Sequence, residues 1–213
     1  MKNMSISSLL GVGLLGVDIA DDAVRVIELR RRRGTLSCRH CGSAALAAGV
    51  MLEGNVEDLQ GLADALRLAH RDSGSTCNRV ALAMPATALI THAIRLPAGL
   101  PEEQLEILVE LEAGQYMPFA LEDASLDFVI LGPAPPLAGQ TGSEIDVLLV
   151  AARRASVQRR LDAAKAAGLT PVIMDSEALA LQAALAQGGW QALPDGGLSY
   201  QLAWGLAMHR YAR

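Results

Sequence analysis

Aromatic residues are scarce in this chain of 213 residues, and basic residues do not exceed acidic ones. Aromatic side chains make up 3% of the residues, so Ala, Leu and Val must supply most of the core. With 18 Lys and Arg against 23 Asp and Glu, the mildly acidic balance gives no overall footprint for nucleic acid. The hydrophobic fraction of 51% argues against a disordered chain. We therefore expect a globular protein with a sizeable core.

Long hydrophobic runs are also missing. No apolar stretch reaches the ~20 residues that a membrane-spanning helix needs. The segment from Leu9 to Val17 follows Lys2 and imitates a signal peptide, but no small-residue cleavage site follows it. Asp18 lies directly after the apolar stretch instead. These features predict a cytoplasmic protein.

Cysteine is rare, with three residues in the chain. Cys38 and Cys41 have a spacing found in metal sites, but a structural zinc site usually needs four ligands. Only Cys77 and distant histidines remain to complete such a site. We expect three reduced thiols on or beside strands and no zinc.

Short strands alternate with amphipathic helices along the chain. Apolar or alternating stretches predict strands at 15–20, 23–30, 35–40, 80–84, 91–96, 126–131, 145–152 and 171–174. Apolar residues at helical spacing predict helices at 56–70, 101–117, 155–167 and 177–186. This alternation is typical of an α/β or α+β layered domain.

A glycine pattern near the N-terminus, Gly11-Val12-Gly13-Leu14-Leu15-Gly16, satisfies the dinucleotide-binding consensus literally. That chemistry needs the glycines after a strand and at the start of a helix, where backbone amides face a pyrophosphate. Here the glycines precede a strand, and the next segment is also β-like. We therefore reject a Rossmann site.

Three segments of the chain resemble the PilM family, whose members are actin-like cytoplasmic proteins of type IV pilus assembly. They are Leu15–Ile19, Val109–Phe119 and Tyr200–Arg210. A related actin-like domain occurs in the type II secretion platform. The segment Gln115–Phe119 and the stretch Gly205–Met208 favour PilM over that alternative.

The resemblance implies a fold, namely an actin-like, ribonuclease H-like first lobe with an inserted α/β subdomain. It assigns residues 1–97 and 154–187 to the first lobe and residues 98–153 to the inserted subdomain. A Gly-rich bridge, residues 188–198, stands where the family has most of a second lobe. The C-terminal helix, residues 199–213, is then expected to pack on the first lobe. Its apolar contacts would come from Leu202, Trp204, Leu206 and Met208.

A nucleotide site is the next implication of the resemblance. In actin-like ATPases an acid matching Asp18 helps to organise hydrated magnesium, beside positions matching Ile19 and Ala20, and Glu177 matches an acid facing the cleft. The residues also allow plainer roles, because Asp18 can cap a turn and Glu177 suits a first helical turn. Asp21 and Asp22 would repel a triphosphate, and the family's second phosphate loop lies in the absent lobe. We expect no cofactor and no catalysis, with magnesium-ATP as the alternative.

A peptide site is the stronger functional implication. Tyr116, Pro118 and Phe119 cluster where a helix ends, in a chain with few aromatics. In the PilM family this subdomain helps to bind the cytoplasmic tail of PilN, an inner-membrane partner, and Arg153 and Arg154 would lie at the groove rim or start a helix. The alternative is that the aromatics simply pack the helix end onto the sheet.

The resemblance therefore predicts a cytoplasmic scaffold at the inner membrane face that binds the PilN tail. An ATP-binding protein whose nucleotide state regulates that contact is the second hypothesis. The basic run from Arg30 to Arg33 adds one more open question. It is expected to be a solvated hairpin tip, with contact to anionic lipid as the alternative.

Overall fold

The computed structural model describes residues 13–135 and 142–211, which form two compact units. Unit 1 comprises Met1–Thr87 and Gln158–Arg213, and unit 2 comprises Ala88–Val157. Gly11, the first glycine of the rejected dinucleotide pattern, lies outside the described residues. No helix within the described ranges is long and apolar enough to cross a bilayer.

Ten strands and five α-helices make up the described fold. The strands are β1 (Leu15–Ile19), β2 (Ala23–Arg32), β3 (Thr35–Ala45), β4 (Met51–Leu52), β5 (Asn55–Val56), β6 (Arg79–Met84), β7 (Leu89–Pro97), β8 (Ala124–Pro133), β9 (Glu144–Arg153) and β10 (Thr170–Ser176). The helices are α1 (Leu59–Ser73), α2 (Glu102–Ala113), α3 (Arg154–Ala166), α4 (Glu177–Gln187) and α5 (Gln201–Met208). This mixture confirms the predicted α/β class.

Unit 1 is built on a five-stranded sheet in the order β10-β6-β1-β2-β3. Strands β10, β6 and β1 are parallel, while β1, β2 and β3 form an antiparallel meander. The interior strand β6 contains an unbroken apolar run, Val80 to Met84, which is buried along its whole length, as expected for a strand covered on both faces. The parallel pairing brings the carboxyl ends of β1, β6 and β10 to one edge of the sheet.

Local sequence chemistry sets the ends of several elements. The β2–β3 hairpin turns at Arg33 and Gly34, whose φ angles of 50° and 83° match the two-residue turn that right-twisted strands favour. Helix α1 begins three residues later than predicted because the Asp58 side chain accepts the amides of Gln60 and Gly61 at 3.0 Å. Ser176 lies directly before α4, at the N-cap position, and makes no side-chain capping bond.

Helices cover both faces of the unit 1 sheet. One face packs against α1 and α3 around Leu15, Val17 and Leu66, all buried. The other face packs against α4 and α5, and α5 lies so close to β1 that a Cβ at Gly16 would overlap the carbonyl oxygen of Ala203. The third glycine of the rejected dinucleotide pattern is therefore needed for helix packing.

Helix α5 supplies the apolar contacts that the sequence predicts. Trp204 and Leu206 are fully buried, and Leu202 and Met208 are partly buried against the sheet and α4. The residues between α4 and α5 form short 3₁₀ turns at Trp190–Ala192 and Pro194–Tyr200. This short connection returns the chain directly to the unit 1 sheet.

Unit 2 is a three-stranded antiparallel sheet in the order β7-β9-β8 with α2 on one face. It begins at Ala88, ten residues before the expected subdomain boundary, because Leu89–Pro97 pairs along its whole length with β9. Helix α2 ends at Ala113 rather than near Met117. Ile107 and Leu111 of this helix are 65% and 69% exposed.

Candidate functional site

Asp18 and Glu177, the two acids singled out by the sequence, belong to the same edge of the unit 1 sheet. Asp18 lies near the carboxyl end of β1, and Glu177 opens α4 directly after β10. Asp18 is 8% exposed and faces Arg25 across the β1–β2 ladder, with its Oδ2 3.7 Å from Arg25 Nη1. Arg25 also lies 3.8 Å from Asp22 in the following turn. We call Asp18, Glu177 and their neighbour Arg160 the carboxylate edge.

Burial controls the charge of Asp18. Burial raises the pKa of this carboxyl, Arg25 lowers it, and the nearby Glu177 and Asp22 carboxylates raise it, so that together they move the pKa from 3.8 to about 7. Near neutral pH a large share of Asp18 is therefore protonated. A protonated carboxyl group is a poor ligand for magnesium, which prefers anionic oxygen.

Arg160 is the member of the carboxylate edge that the sequence analysis missed. It is 1% exposed, donates from Nη2 to the Gly54 carbonyl, and within the described residues its Nε and Nη1 have no hydrogen-bond partner. Burial lowers the pKa of Arg160, and Glu177 opposes that shift. Burial likewise raises the pKa of Glu177, which Arg160 opposes, so each is a countercharge for the other. Helical spacing in the sequence could have identified Arg160, because it shares the buried face of α3 with Val157 and Ala164.

The turn after β1 offers little to a phosphate group. Ile19 is buried in the core, and the Ala20 amide already donates to the Ala23 carbonyl at 3.0 Å. Asp21 and Asp22 are exposed at the turn and would repel a triphosphate. No group of three His, Cys, Asp or Glu side chains able to hold a metal ion occurs among the described residues. A phosphate group at this turn would therefore meet two exposed carboxylates and an Ala20 amide that is already hydrogen-bonded.

The predicted peptide-binding aromatics lie at the surface of unit 2. Tyr116 is 36% exposed and stacks on His92 of β7, with ring centroids 3.7 Å apart and planes at 26°. Phe119 is half-buried beneath the Arg153 guanidinium, whose carbon lies 4.3 Å from the ring centroid. Pro118 between them is exposed. Tyr116 thus helps to fix the helix end on the sheet and still presents part of its ring to solvent.

The two arginines after β9 have separate roles. Arg153 covers Phe119, whereas Arg154 donates from Nη2 to the Ala124 carbonyl at 2.9 Å and joins α3 to β8. His92 joins the cluster although the sequence did not suggest it. Strand alternation in the sequence could have identified His92, since it lies on the same sheet face as Ile94 and Leu96. We call His92, Tyr116, Pro118, Phe119 and Arg153 the aromatic surface.

The cysteines and the basic run fall elsewhere in unit 1. Cys38, Cys41 and Cys77 are partly buried free thiols, and burial together with the neighbouring Cys41 raises the pKa of Cys38 to about 12. Such a thiol is unreactive at neutral pH because it does not ionise. Arg30 to Arg33 are exposed at the tip of the β2–β3 hairpin, as predicted.

Comparison with known proteins places this geometry in a family. A family model described as type IV pilus assembly protein PilM matches residues 16–204. A chain of a solved PilM–PilN type IV pilus biogenesis complex matches with a TM-score of 0.71 and 29% identity, over 82% of this chain and 50% of that one. This chain therefore spans half the length of the solved PilM chain that it matches.

A second solved structure is less similar. It is the cytoplasmic domain of EpsL, an inner membrane component of the type II secretion system of Vibrio cholerae. It matches with a TM-score of 0.49 and 16% identity, over 79% of this chain and 58% of that one. This likeness is too weak to bear on function, whereas the PilM match covers most of the sequence. The chain belongs to the PilM family of type IV pilus assembly proteins.

Proposed function

We propose that this protein is a cytoplasmic scaffold of the type IV pilus assembly platform that binds the cytoplasmic tail of a PilN partner at the inner membrane face. The observation that carries the proposal is the match to PilM from a PilM–PilN complex over 82% of the chain. A scaffold needs a binding surface rather than a catalytic centre, and unit 2 offers such a surface.

The aromatic surface has the properties of a peptide-binding site. Tyr and Phe supply large contact areas with few rotatable bonds, so they lose little entropy when a partner covers them. Arg153 over Phe119 holds a cation beside an apolar ring. Such a pairing suits a peptide that carries both apolar side chains and backbone or side-chain acceptors. We therefore assign the PilN tail to this surface.

We propose further that binding does not require a nucleotide. This part rests on the carboxylate edge, where Asp18 is paired with Arg25 and has a raised pKa, and the turn holds two exposed acids. Magnesium-ATP as a regulator is the second candidate, favoured by the meeting of Asp18 and Glu177 at the end of parallel strands. The charges of the surrounding residues weigh against it.

Isothermal titration of the purified protein with an N-terminal PilN peptide tests the proposal. Tyr116→Ala and Phe119→Ala are each expected to weaken binding by about 10- to 100-fold, since a buried aromatic contact typically contributes ~1.4–3 kcal/mol. Val129→Ala is the matched control because it truncates another exposed apolar side chain of unit 2, 44% exposed on β8. Far-UV circular dichroism should be unchanged in all three variants.

Two results would contradict the assignment. Unfolding of both aromatic variants would make the aromatic surface part of the core, and unchanged affinity would place the peptide elsewhere. A parallel titration with magnesium-ATP is expected to show no stoichiometric binding. Magnesium-dependent binding that Asp18→Ala abolishes would replace the nucleotide-free scaffold with the regulated one.

A further inference from the structure

Four arginines and a tyrosine converge at one place on unit 1, outside both sites described above. They line a cavity of about 330 Å³ and are Arg30, Arg31, Arg39, Arg210 and Tyr211. Arg31 and Arg210 lie against the Tyr211 ring, 4.7 and 5.4 Å from its centroid. The tyrosine thus spaces two guanidinium groups and keeps them beside the cavity. We call this the arginine cavity.

The arginine cavity carries a local excess of positive charge. Glu28 is the one acid in ion-pair range of its four arginines among the described residues, 3.0 Å from Arg39 and 3.9 Å from Arg210. Glu28 is itself buried and also accepts a hydrogen bond from the Ser75 hydroxyl at 2.6 Å, so its carboxylate oxygens already have partners within the protein. One carboxylate therefore faces four guanidinium groups, in a chain whose formal net charge is −5.

The adjoining hairpin tip extends this positive field. Arg32 and Arg33 are exposed beside the cavity, and the left-handed backbone at Arg33 and Gly34 closes the tip tightly. Guanidinium groups bind phosphate oxygens in pairs through their planar N–H fork. The ligand that matches this part of the surface is a phosphate group.

An apolar cavity of about 300 Å³ opens directly beside the arginine cavity. Its apolar lining comes from Leu36, Leu179, Ala183 and Met208, and Leu179 is 40% exposed. Its one acid, Asp175, is already paired with His209, whose Nε2 lies 2.6 Å from the Asp175 Oδ2. We call this the apolar cavity.

Arg31 and Tyr211 line both cavities, so the two are neighbours with a shared wall. A ligand that spans them needs an anionic group at one end and a hydrocarbon portion at the other. Nucleic acid has the phosphate but no hydrocarbon to place in the apolar cavity. An apolar peptide fits that cavity but leaves the arginines without anions.

We propose that the two cavities together bind an anionic phospholipid, with the headgroup phosphate on the arginines and the upper acyl chain in the apolar cavity. Unit 1 would then contact the membrane itself, independently of any PilN partner. The inference goes beyond the proposed scaffold function, and each can fail without the other because the test below contains no PilN.

Co-sedimentation with vesicles tests the arginine cavity. The purified protein is expected to bind vesicles made of equal parts phosphatidylglycerol and phosphatidylcholine, to ignore pure phosphatidylcholine, and to dissociate as salt is raised. Arg30→Gln with Arg31→Gln should weaken binding about 30-fold, from about fivefold for each charge near an anionic surface. Arg67→Gln with Arg71→Gln removes two exposed arginines of α1 and should leave binding unchanged.

The apolar cavity needs its own test, because a charged patch alone also binds anionic vesicles. Ala183→Phe fills this cavity and leaves every arginine in place, and Leu179→Gln makes its wall polar at an exposed position. Both variants should bind a soluble short-chain phosphatidylglycerol several-fold more weakly in a calorimetric titration. Their weak affinity for glycerol phosphate, which lacks the chain, should not change.

Four outcomes would overturn the proposal. Equal affinity for short-chain phosphatidylglycerol and glycerol phosphate would make the site a receptor for free phosphate. Stronger binding of duplex DNA than of vesicles would make it a nucleic-acid site. Vesicle binding that the α1 control reduces equally would reflect charge alone, and folded protein that binds no vesicle would remove the site.

Discussion

The two units cover their sheets differently: unit 1 buries charged residues, whereas the sheet of unit 2 exposes apolar side chains. In unit 1 helices lie on both faces, and the interior strand β6 is buried from Val80 to Met84. Among the described residues of unit 2, α2 packs on one face of the sheet, and Val129 and Leu131 of β8 stay 44% and 58% exposed. Two-sided cover removes the strands from solvent, whereas one-sided cover leaves apolar side chains of the sheet exposed.

Charge follows the same division. Asp18, Glu28 and Arg160 are the buried charged residues of the described chain, and all three belong to unit 1. The ion pair of unit 2, Arg95 with Asp146 at 3.2 Å, is exposed. Buried charges depend strongly on their protonation state, and exposed pairs contribute little. The stability of unit 1 should therefore depend on pH more strongly than that of unit 2.

The largest expected effect is the pH dependence of stability that Asp18 causes. If this effect were absent, buried charge would not make unit 1 more sensitive to pH than unit 2. The folded-state pKa of Asp18 lies above the ordinary value, so the native state holds the proton more tightly than the unfolded chain. Stability from this group is present below about pH 4 and is lost as pH rises to about 7. Asp18→Asn should remove that loss, which is on the order of 4 kcal/mol over the window.

Urea unfolding monitored by tryptophan fluorescence measures this effect, because both tryptophans, Trp190 and Trp204, lie in unit 1. Asp64→Asn is the matched control, since the Asp64 side chain is 59% exposed and is not among the groups that shift the Asp18 pKa. If the Asp18→Asn and wild-type curves stay parallel from acid to neutral pH, the carboxyl is ionised in the fold and its burial is tolerated by other means.

The next effect tests packing, with one glycine from each unit. A Cβ at Gly205 in α5 would overlap the Ala180 carbonyl oxygen of α4, so Gly205→Ala should destabilise unit 1 by about 3 kcal/mol. A Cβ at Gly114, after α2, would meet nothing nearer than 3.8 Å, and its φ of −54° suits alanine. Gly114→Ala should therefore stabilise by about 0.5 kcal/mol.

Denaturant midpoints for both alanine variants check this pair of predictions. A cost below about 1 kcal/mol at Gly205 would mean that α4 and α5 can separate without loss. The close approach would then be incidental. A clear loss at Gly114 would mean that the end of α2 is held more tightly than its open surroundings indicate.

The sequence predicts most of the fold because local patterns agree with the global one. Local sequence patterns correctly indicated three features of the fold. These are the buried apolar run of β6, the tight Arg33-Gly34 turn and the buried apolar residues of α5. The predicted end of α2 was wrong. Pro118 limits how far the helix can extend, but the chain leaves the helix at Ala113, before that limit is reached. Element ends depend on turns that several sequences satisfy equally.

The candidate sites were harder to predict, since they depend on contacts between distant segments. Asp18 and Glu177 were singled out because the family resemblance implies a functional acid at each of these positions. Arg160 and His92 were missed because each is one polar residue in an element whose pattern is satisfied without it. A polar residue at a core-facing position is therefore a candidate functional residue even where no motif includes it.

The smallest expected effect sharpens the comparison within α2 itself. Ile107 and Leu111 lie one turn apart and are exposed, whereas Leu105 is 4% exposed and packs on the unit 2 sheet. Ile107→Gln and Leu111→Gln keep the helix propensity and should change stability by less than about 0.5 kcal/mol. Leu105→Ala on the same helix should cost about 2–5 kcal/mol. Thermal unfolding followed by far-UV circular dichroism measures all three, and a loss at Ile107 as large as that at Leu105 would show that something covers this face of α2 in solution.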